Sequence, residues 1–92
     1  MSKGKNTHKK TYYTLDELKG LAEARGYLLH FNPYFKVFEL KDKKHPENWC
    51  WVIRPSNEVK VGQIRECPMQ EWDDMIDFNI ARLKKNAVSI NQ

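Results

Sequence analysis

Two short stretches of this sequence carry the residue types of a metal-dependent nuclease. Residues 39–41 (Glu-Leu-Lys) and residues 58–60 (Glu-Val-Lys) each place a carboxylate two positions before a lysine. In such enzymes a carboxylate holds a divalent cation and the lysine steadies the attacking water, but a second carboxylate must lie nearby. No Pro-Asp pair precedes either stretch at a suitable spacing. A metal-dependent nuclease is therefore only the third hypothesis for this sequence, and loss of an activity in Glu58→Gln would be needed to support it.

The cysteines and histidines do not form a recognisable chemical set either. Zinc sites are usually built from ligand pairs a few residues apart, and no such pair is present. Cys67 precedes a predicted helix, whose N-terminus would lower the pKa of the thiol, but no histidine accompanies it as a base. Two cysteines are also too few for a disulfide framework. We therefore predict a protein that is not an enzyme and that uses no metal or cofactor.

Acidic residues gather between Glu66 and Asp77, where no basic residue occurs. A cluster of this kind can face a basic groove on a partner protein. The other interpretation is a solvated helix start, where acids are stabilised by the helix macrodipole. The predicted protein-binding acidic patch consists of Glu71, Asp73, Asp74 and Asp77.

Basic residues point to the alternative partner, a nucleic acid. The chain has a net charge of +4, and four lysines within residues 1–13 account for all of it, because the other charges cancel. Lysines near phosphates release counterions and make binding salt-dependent. The candidate nucleic-acid-binding residues are Lys3, Lys5, Lys9, Lys10, Lys36, Lys41, Lys43, Lys44 and Arg54.

Aromatic residues alternate with some of these bases in the middle of the chain. The set comprises Tyr34, Phe35, Phe38, Trp49 and Trp51. Exposed aromatic rings flanked by bases can stack on unpaired nucleotide bases. An open apolar face is more often an interface with a protein partner or with a second copy of the chain, as in a homodimer. Some of these rings are also expected to belong to the core.

The periodicity of apolar residues predicts the elements that position these groups. Thr14 and Glu17 form a capping box that opens a helix over residues 14–25, and Gly26 ends it. Gly20 within this helix suggests close packing against the sheet. A second helix is predicted over 68–85, with Pro68 as its first residue. The predicted strands are residues 27–31, 34–40, 49–54 and 58–64, and the predicted flexible tails are residues 1–13 and 86–92.

These elements predict an α+β fold with a single domain over residues 14–85. The predicted order is a helix, an antiparallel meander sheet of three or four strands, and a second helix (α-β-β-β-(β)-α). The helices form one layer and the sheet the other, which makes a two-layer sandwich. This order resembles that of the double-stranded RNA-binding domain in topology. Members of that family carry a basic cluster at the start of the second helix, whereas residues 68–74 here are acidic. The departure would repel phosphate and argues against duplex RNA as the ligand.

The sequence as a whole favours a small cytoplasmic binding protein. The first residues lack the apolar run of a secretory signal, and no apolar stretch is long enough to cross a membrane. We expect an accessory or inhibitor protein, of the kind that phages and mobile elements encode. It would occupy a macromolecular surface through its acidic helix and its aromatic sheet face, with nucleic-acid binding as the alternative.

Overall fold

The computed structural model describes residues 10–90, and the side chains of residues 10–85. The predicted tail residues 1–9, 91 and 92 lie outside the described residues. The described order is helix, three strands and helix, which confirms the predicted α+β fold. The elements are α1 Leu15–Ala24, β1 Tyr27–Asn32, β2 Val37–Asp42, β3 Trp49–Trp51, a short 3₁₀ turn Ile64–Glu66, and α2 Met69–Ile90.

Helix α1 begins and ends as its sequence predicts. The Thr14 hydroxyl accepts a hydrogen bond from the Glu17 backbone N–H, and the Glu17 carboxylate accepts one from the Thr14 backbone N–H. Gly26 follows with φ of +85°, a conformation that glycine adopts without strain. Gly20, by contrast, is exposed, and a Cβ built there meets no atom within 4 Å. The expectation that Gly20 packs closely against the sheet is therefore wrong.

The three strands form one antiparallel sheet in the order β1-β2-β3. Strand β2 starts at Val37 and not at residue 34, because the Asn32 side chain organises the preceding loop. Its oxygen accepts hydrogen bonds from the backbone N–H groups of Tyr34 and Phe35, both at 2.9 Å. Lys36 closes the loop with φ of +60° and donates its N–H to the Asn32 carbonyl. An asparagine that binds its own following backbone is typical of turns.

The predicted fourth strand over residues 58–64 does not form. Strand β3 ends at Trp51, and the chain returns through a turn at Glu58, with φ of +59°, to a single bridge between Ile53 and Lys60. Val61 then donates its N–H to the Val52 carbonyl, while its own carbonyl accepts from the Phe38 N–H. The N–H and the carbonyl of Val61 thus bind two different segments of the chain. Because neither segment pairs with residues 58–64 along its length, no continuous β-ladder forms there.

Gly62 is required where this segment meets the loop before β2. A Cβ added to Gly62 would lie 2.5 Å from the Lys36 carbonyl oxygen. Real Cβ atoms do not approach a backbone oxygen so closely, and the backbone at Lys36 has little room to move. Only glycine lets the two segments pass each other at this point.

Both helices cover the same face of the sheet, as the apolar stripes predict. Helix α1 contacts β1, and α2 contacts β2 and β3. Trp72 of α2 is fully buried, and its indole N–H donates to the Ile64 carbonyl at 2.8 Å. The core comprises Leu18, Ala22, Tyr27, Leu29, Phe38, Leu40, Cys50, Val52, Val61, Cys67, Trp72, Met75, Ile76, Ile80 and Leu83.

Helix α2 differs from its prediction at both ends. It begins at Met69, one residue after Pro68, and continues to Ile90, beyond the predicted end at residue 85. Its core-facing stripe also contains Asn79, which the sequence analysis did not identify as buried. The Asn79 amide donates to the Ile53 carbonyl and accepts from the Ile53 N–H, so it substitutes for a neighbouring strand just beyond β3.

Residues 10–13, assigned above to the leading tail, contact the domain. The Thr11 carbonyl accepts a hydrogen bond from the Met69 N–H, which is one of the unpaired N–H groups at the start of α2. The Tyr13 hydroxyl donates to Asp73 at 2.7 Å, and the Arg65 guanidinium lies over the Tyr12 ring. This segment therefore holds the N-terminus of α2 in place.

Candidate functional site

The second face of the sheet has no helix over it in the described part of the chain. Side chains alternate between the two faces of a strand, so the residues between the core positions point away from the helices. We call this surface the open sheet face. It consists of Leu28, His30, Val37, Glu39, Lys41, Trp49 and Trp51, with Tyr34 and Phe35 from the loop before β2 and Lys60 beside β3.

Four aromatic rings form a continuous row on the open sheet face. The ring centroids of Tyr34 and Phe35 are 4.8 Å apart, those of Phe35 and Trp51 are 5.4 Å apart, and those of Trp51 and Trp49 are 5.0 Å apart. Each pair is edge to face, the arrangement that the ring quadrupoles prefer. Tyr34 is 83% exposed, Phe35 59% and Trp49 45%. Rings this exposed can stack on or enclose a ligand.

Cationic side chains lie within this aromatic row. The Lys60 ammonium is 5.7 Å from the centroid of the Trp51 ring, within the range of a cation–π interaction. Lys41 pairs directly with Trp49 across β2 and β3. Glu39 is the acid of the same face, and its carboxylate accepts a hydrogen bond from the Asn32 amide at 2.7 Å. The face therefore combines exposed rings with a net positive charge.

Two shallow cavities border the open sheet face. One, of about 290 Å³, is lined by Phe35, Val37, Trp51 and Lys60. The other, of about 330 Å³, lies between α1 and the edge of β1 and is lined by Lys19, Glu23, Leu28, Leu29, His30 and Lys41. Both are at the small end of the range for ligand sites, so neither encloses a large molecule.

Three of the four carboxylates of the predicted acidic patch on α2 have partners within the chain. The Glu71 carboxylate accepts from Arg54 at 3.0 Å, and that of Asp77 accepts from Arg25 at 2.8 Å. Asp73 accepts from the Tyr13 hydroxyl. Three of the four predicted binding carboxylates thus join α2 to other segments of the same chain. Asp74 is exposed and contacts no charged partner among residues 10–85.

Hydrogen bonding and burial shift the pKa values of Tyr13 and of the two cysteines. The hydrogen bond to Asp73 raises the pKa of Tyr13, because the bond requires the hydroxyl proton. Burial raises the pKa of the Cys67 thiol to about 11, and the nearby Glu71 carboxylate adds to the effect. Burial also raises the pKa of Cys50. The expectation of a lowered pKa at Cys67 is therefore wrong, because burial outweighs the helix terminus.

The predicted nucleic-acid-binding residues are divided by the structure. Lys3, Lys5 and Lys9 lie outside the described residues. Lys10 pairs with Glu17, and Arg54 pairs with Glu71, so both already have internal partners. Besides Lys10, the exposed lysines of the described set are Lys36 in the loop before β2 and Lys43 and Lys44 after it, while Lys41 on the open sheet face is half-buried.

The aromatic set is also divided. Phe38 belongs to the core, where its ring packs against those of Phe31 and Trp72. Lys60 is a residue of the face that the sequence analysis considered only as part of a nuclease pattern. The alternation of Val59 and Val61 with Lys60 carried the signal, because it places Lys60 on the face opposite the buried Val61.

The described residues contain no group of three or more side chains that could hold a metal ion. Neither described helix has the length and apolarity that crossing a membrane requires. The chain matches no protein-family model, no curated protein and no solved structure.

Proposed function

We propose that the protein is a small non-enzymatic binding protein that acts by occupying a macromolecular surface through its open sheet face. The observation that carries this proposal is the exposed aromatic row from Tyr34 to Trp49. Large aromatic side chains gain about 25 cal/mol for each Å² of apolar area removed from water, so a row left in solvent is a source of binding energy. Tyrosine and tryptophan are also the commonest binding hot spots.

The acidic surface of α2 is the weaker candidate for the same role. Its carboxylates at positions 71, 73 and 77 already bind groups of this chain. A partner would have to replace those contacts and would gain little net energy from them. Asp74 is the member of the patch that a partner can reach without breaking a described contact.

We extend the proposal to a cytoplasmic accessory or inhibitor protein, of the kind that phages and mobile elements encode. Such a protein needs a stable fold and one binding surface. A two-layer domain with an uncovered sheet face provides both.

Site-specific photo-crosslinking in the native cells tests this proposal. A photoreactive phenylalanine analogue replaces Phe35 on the open sheet face, Asp74 on the acidic surface of α2, or Ala81 on the outer side of α2. We expect adducts of higher mass from position 35 and none from position 81, which is the matched control. Adducts from position 74 without adducts from position 35 would contradict the proposal and favour the acidic surface.

A further inference from the structure

The chemistry of the open sheet face identifies a class of ligand. Resting on the function proposed above, we propose that the face binds a single-stranded nucleic acid, whose unpaired bases stack on the exposed rings of Phe35 and Trp49 and whose phosphates pair with Lys60 and Lys41. Three features of the face favour this ligand: the exposure of the rings, the position of the lysines and the cavity between them.

The exposed rings of the row can accept unpaired bases of a strand. Neighbouring centroids lie 4.8 to 5.4 Å apart along the row from Tyr34 to Trp49. A single strand can place one base on each exposed ring, because its backbone rotates freely between nucleotides. Stacking of this kind tolerates any base, since every base has a π-face. We therefore expect little sequence preference.

The lysines lie where a strand stacked on these rings carries its phosphates. Lys60 is beside the Trp51 ring and Lys41 is the cross-strand neighbour of Trp49. An ammonium group so close to the aromatic row is unfavourable at the centre of a protein–protein interface unless a carboxylate meets it, because burying an unpaired charge is costly. A phosphate provides that negative charge at every nucleotide.

The cavity lined by Phe35, Val37, Trp51 and Lys60 fits one stacked base. It has a volume of about 290 Å³, two aromatic walls and a cation at its rim. A base paired within a duplex has both faces covered by its neighbours and cannot enter such a cavity. The acidic start of α2 lies on the helix side of the sheet, so its carboxylates do not line the surface that the strand would occupy.

Fluorescence anisotropy with the full chain and labelled oligonucleotides tests the proposal. The probes are oligouridylate and oligothymidylate of about 12 nucleotides and a duplex of the same length, since sites of this kind span about 4–16 nucleotides. We expect both single strands to bind more tightly than the duplex. Phe35→Ala and Trp49→Ala should each weaken binding by about 5- to 150-fold, the effect of removing one stacked base.

Charge variants give a second readout of the same site. Lys60→Gln should weaken binding and lower the slope of log affinity against log salt by about 0.7, the value for one phosphate of a single strand. Lys84→Gln makes the same charge change on the exposed side of α2 and should leave affinity and slope unchanged. A preference between the two single strands would show whether RNA or DNA is the natural source.

Several outcomes would overturn the proposal. Equal binding of single strand and duplex that is insensitive to Phe35→Ala, or binding that disappears only when residues 1–9 are deleted, would assign the affinity to nonspecific charge. Absence of binding with a protease-sensitive crosslink at position 35 would leave the proposed function standing with a protein or a second copy as partner. Absence of both would contradict the proposed function itself.

Discussion

The acidic surface of α2 and the open sheet face are both clusters of one residue type, but the structure uses them differently. On α2, the carboxylates at positions 71, 73 and 77 are bound by Arg54, Tyr13 and Arg25. On the sheet, Tyr34, Phe35 and Trp49 remain in solvent. Three of the acids contact other segments of the chain, whereas the exposed rings contact other rings of the same row.

This difference shows what separates a structural cluster from a binding one. A cluster of charged side chains has a structural role when residues that are distant in sequence bind those side chains in the folded protein. Tyr13 and Asp73, for example, lie at opposite ends of the domain in sequence and meet in the folded chain. Exposed aromatic rings have no such partner on the described open face beyond one another, and they therefore keep their capacity to bind.

Truncation of tryptophans on the two sides of the sheet gives the largest expected contrast. Trp72→Ala removes a fully buried indole and should lower the free energy of unfolding by about 3–5 kcal/mol. Trp49→Ala removes a half-exposed ring and its pair with Trp51, which is worth about 0.5–1.5 kcal/mol, and should therefore cost clearly less than Trp72→Ala. Urea denaturation measures both. If Trp72→Ala does not fold, the milder Trp72→Phe keeps the comparison, and equal losses at the two sites would contradict it.

Alanine substitution of two glycines tests how tightly the backbone is packed around each of them. Gly62→Ala places a Cβ against the Lys36 carbonyl and should destabilise the fold by about 1–3 kcal/mol, as overpacking does. Gly20→Ala adds a methyl group to an open helix surface and should stabilise it by up to about 1 kcal/mol. Thermal unfolding checks both signs. A neutral Gly62→Ala would mean that the contact with the loop before β2 is not tight.

Alkaline pH should lower the stability of the domain through the Cys67 thiol. The folded-state pKa of about 11 exceeds the ordinary 9.0, so between these values the unfolded thiol loses its proton and the folded one keeps it. The free energy of unfolding should therefore fall as pH rises from 9 to 11, by at most about 1.4 kcal/mol per pH unit. Urea midpoints across this range should fall less steeply for Cys67→Ala than for the wild type. The same slope in both proteins would contradict the assignment.

Neutralisation of neighbouring acids gives the smallest effect and tests the acidic surface directly. Asp73→Asn weakens the hydrogen bond from Tyr13 and should cost about 1 kcal/mol. Asp74→Asn removes a charge from the same turn of α2 and should change stability by less than about 0.5 kcal/mol. Because both variants lose a similar interaction with the helix macrodipole, the difference in their urea midpoints reports the Tyr13 contact. Equal midpoints would show that Asp73 is as free as Asp74.

Local signals in the sequence predicted much of the fold. The capping box at Thr14 and the apolar stripe of α2 are short-range patterns, and the structure confirms them. The start of β2 and the missing fourth strand depend on interactions that no periodicity carries. In the first case the Asn32 side chain binds the following backbone, and in the second Val61 divides its hydrogen bonds between Phe38 and Val52.

The candidate site could be predicted only in part for the same reason. The alternation in β3 placed Trp49 and Trp51 on one face and Cys50 on the other, and in the structure the two tryptophans lie on the open face. The cation that lies beside these rings is determined by the path of the chain after β3. That path brings Lys60 to Trp51 and pairs Arg54 with Glu71, so the sequence analysis selected Arg54 and overlooked Lys60.

The indole N–H resonances of the three tryptophans provide the most direct test of the account. Trp49 and Trp51 lie on the open sheet face, whereas the indole of Trp72 is buried and bound to the Ile64 carbonyl. NMR spectra would be recorded as oligouridylate of about 12 nucleotides is added to the full chain. Binding at the open sheet face should shift the resonances of Trp49 and Trp51 and leave those of Trp72 and of residues 71–77 unchanged. Shifts confined to residues 71–77, or no shift at either face, would contradict it.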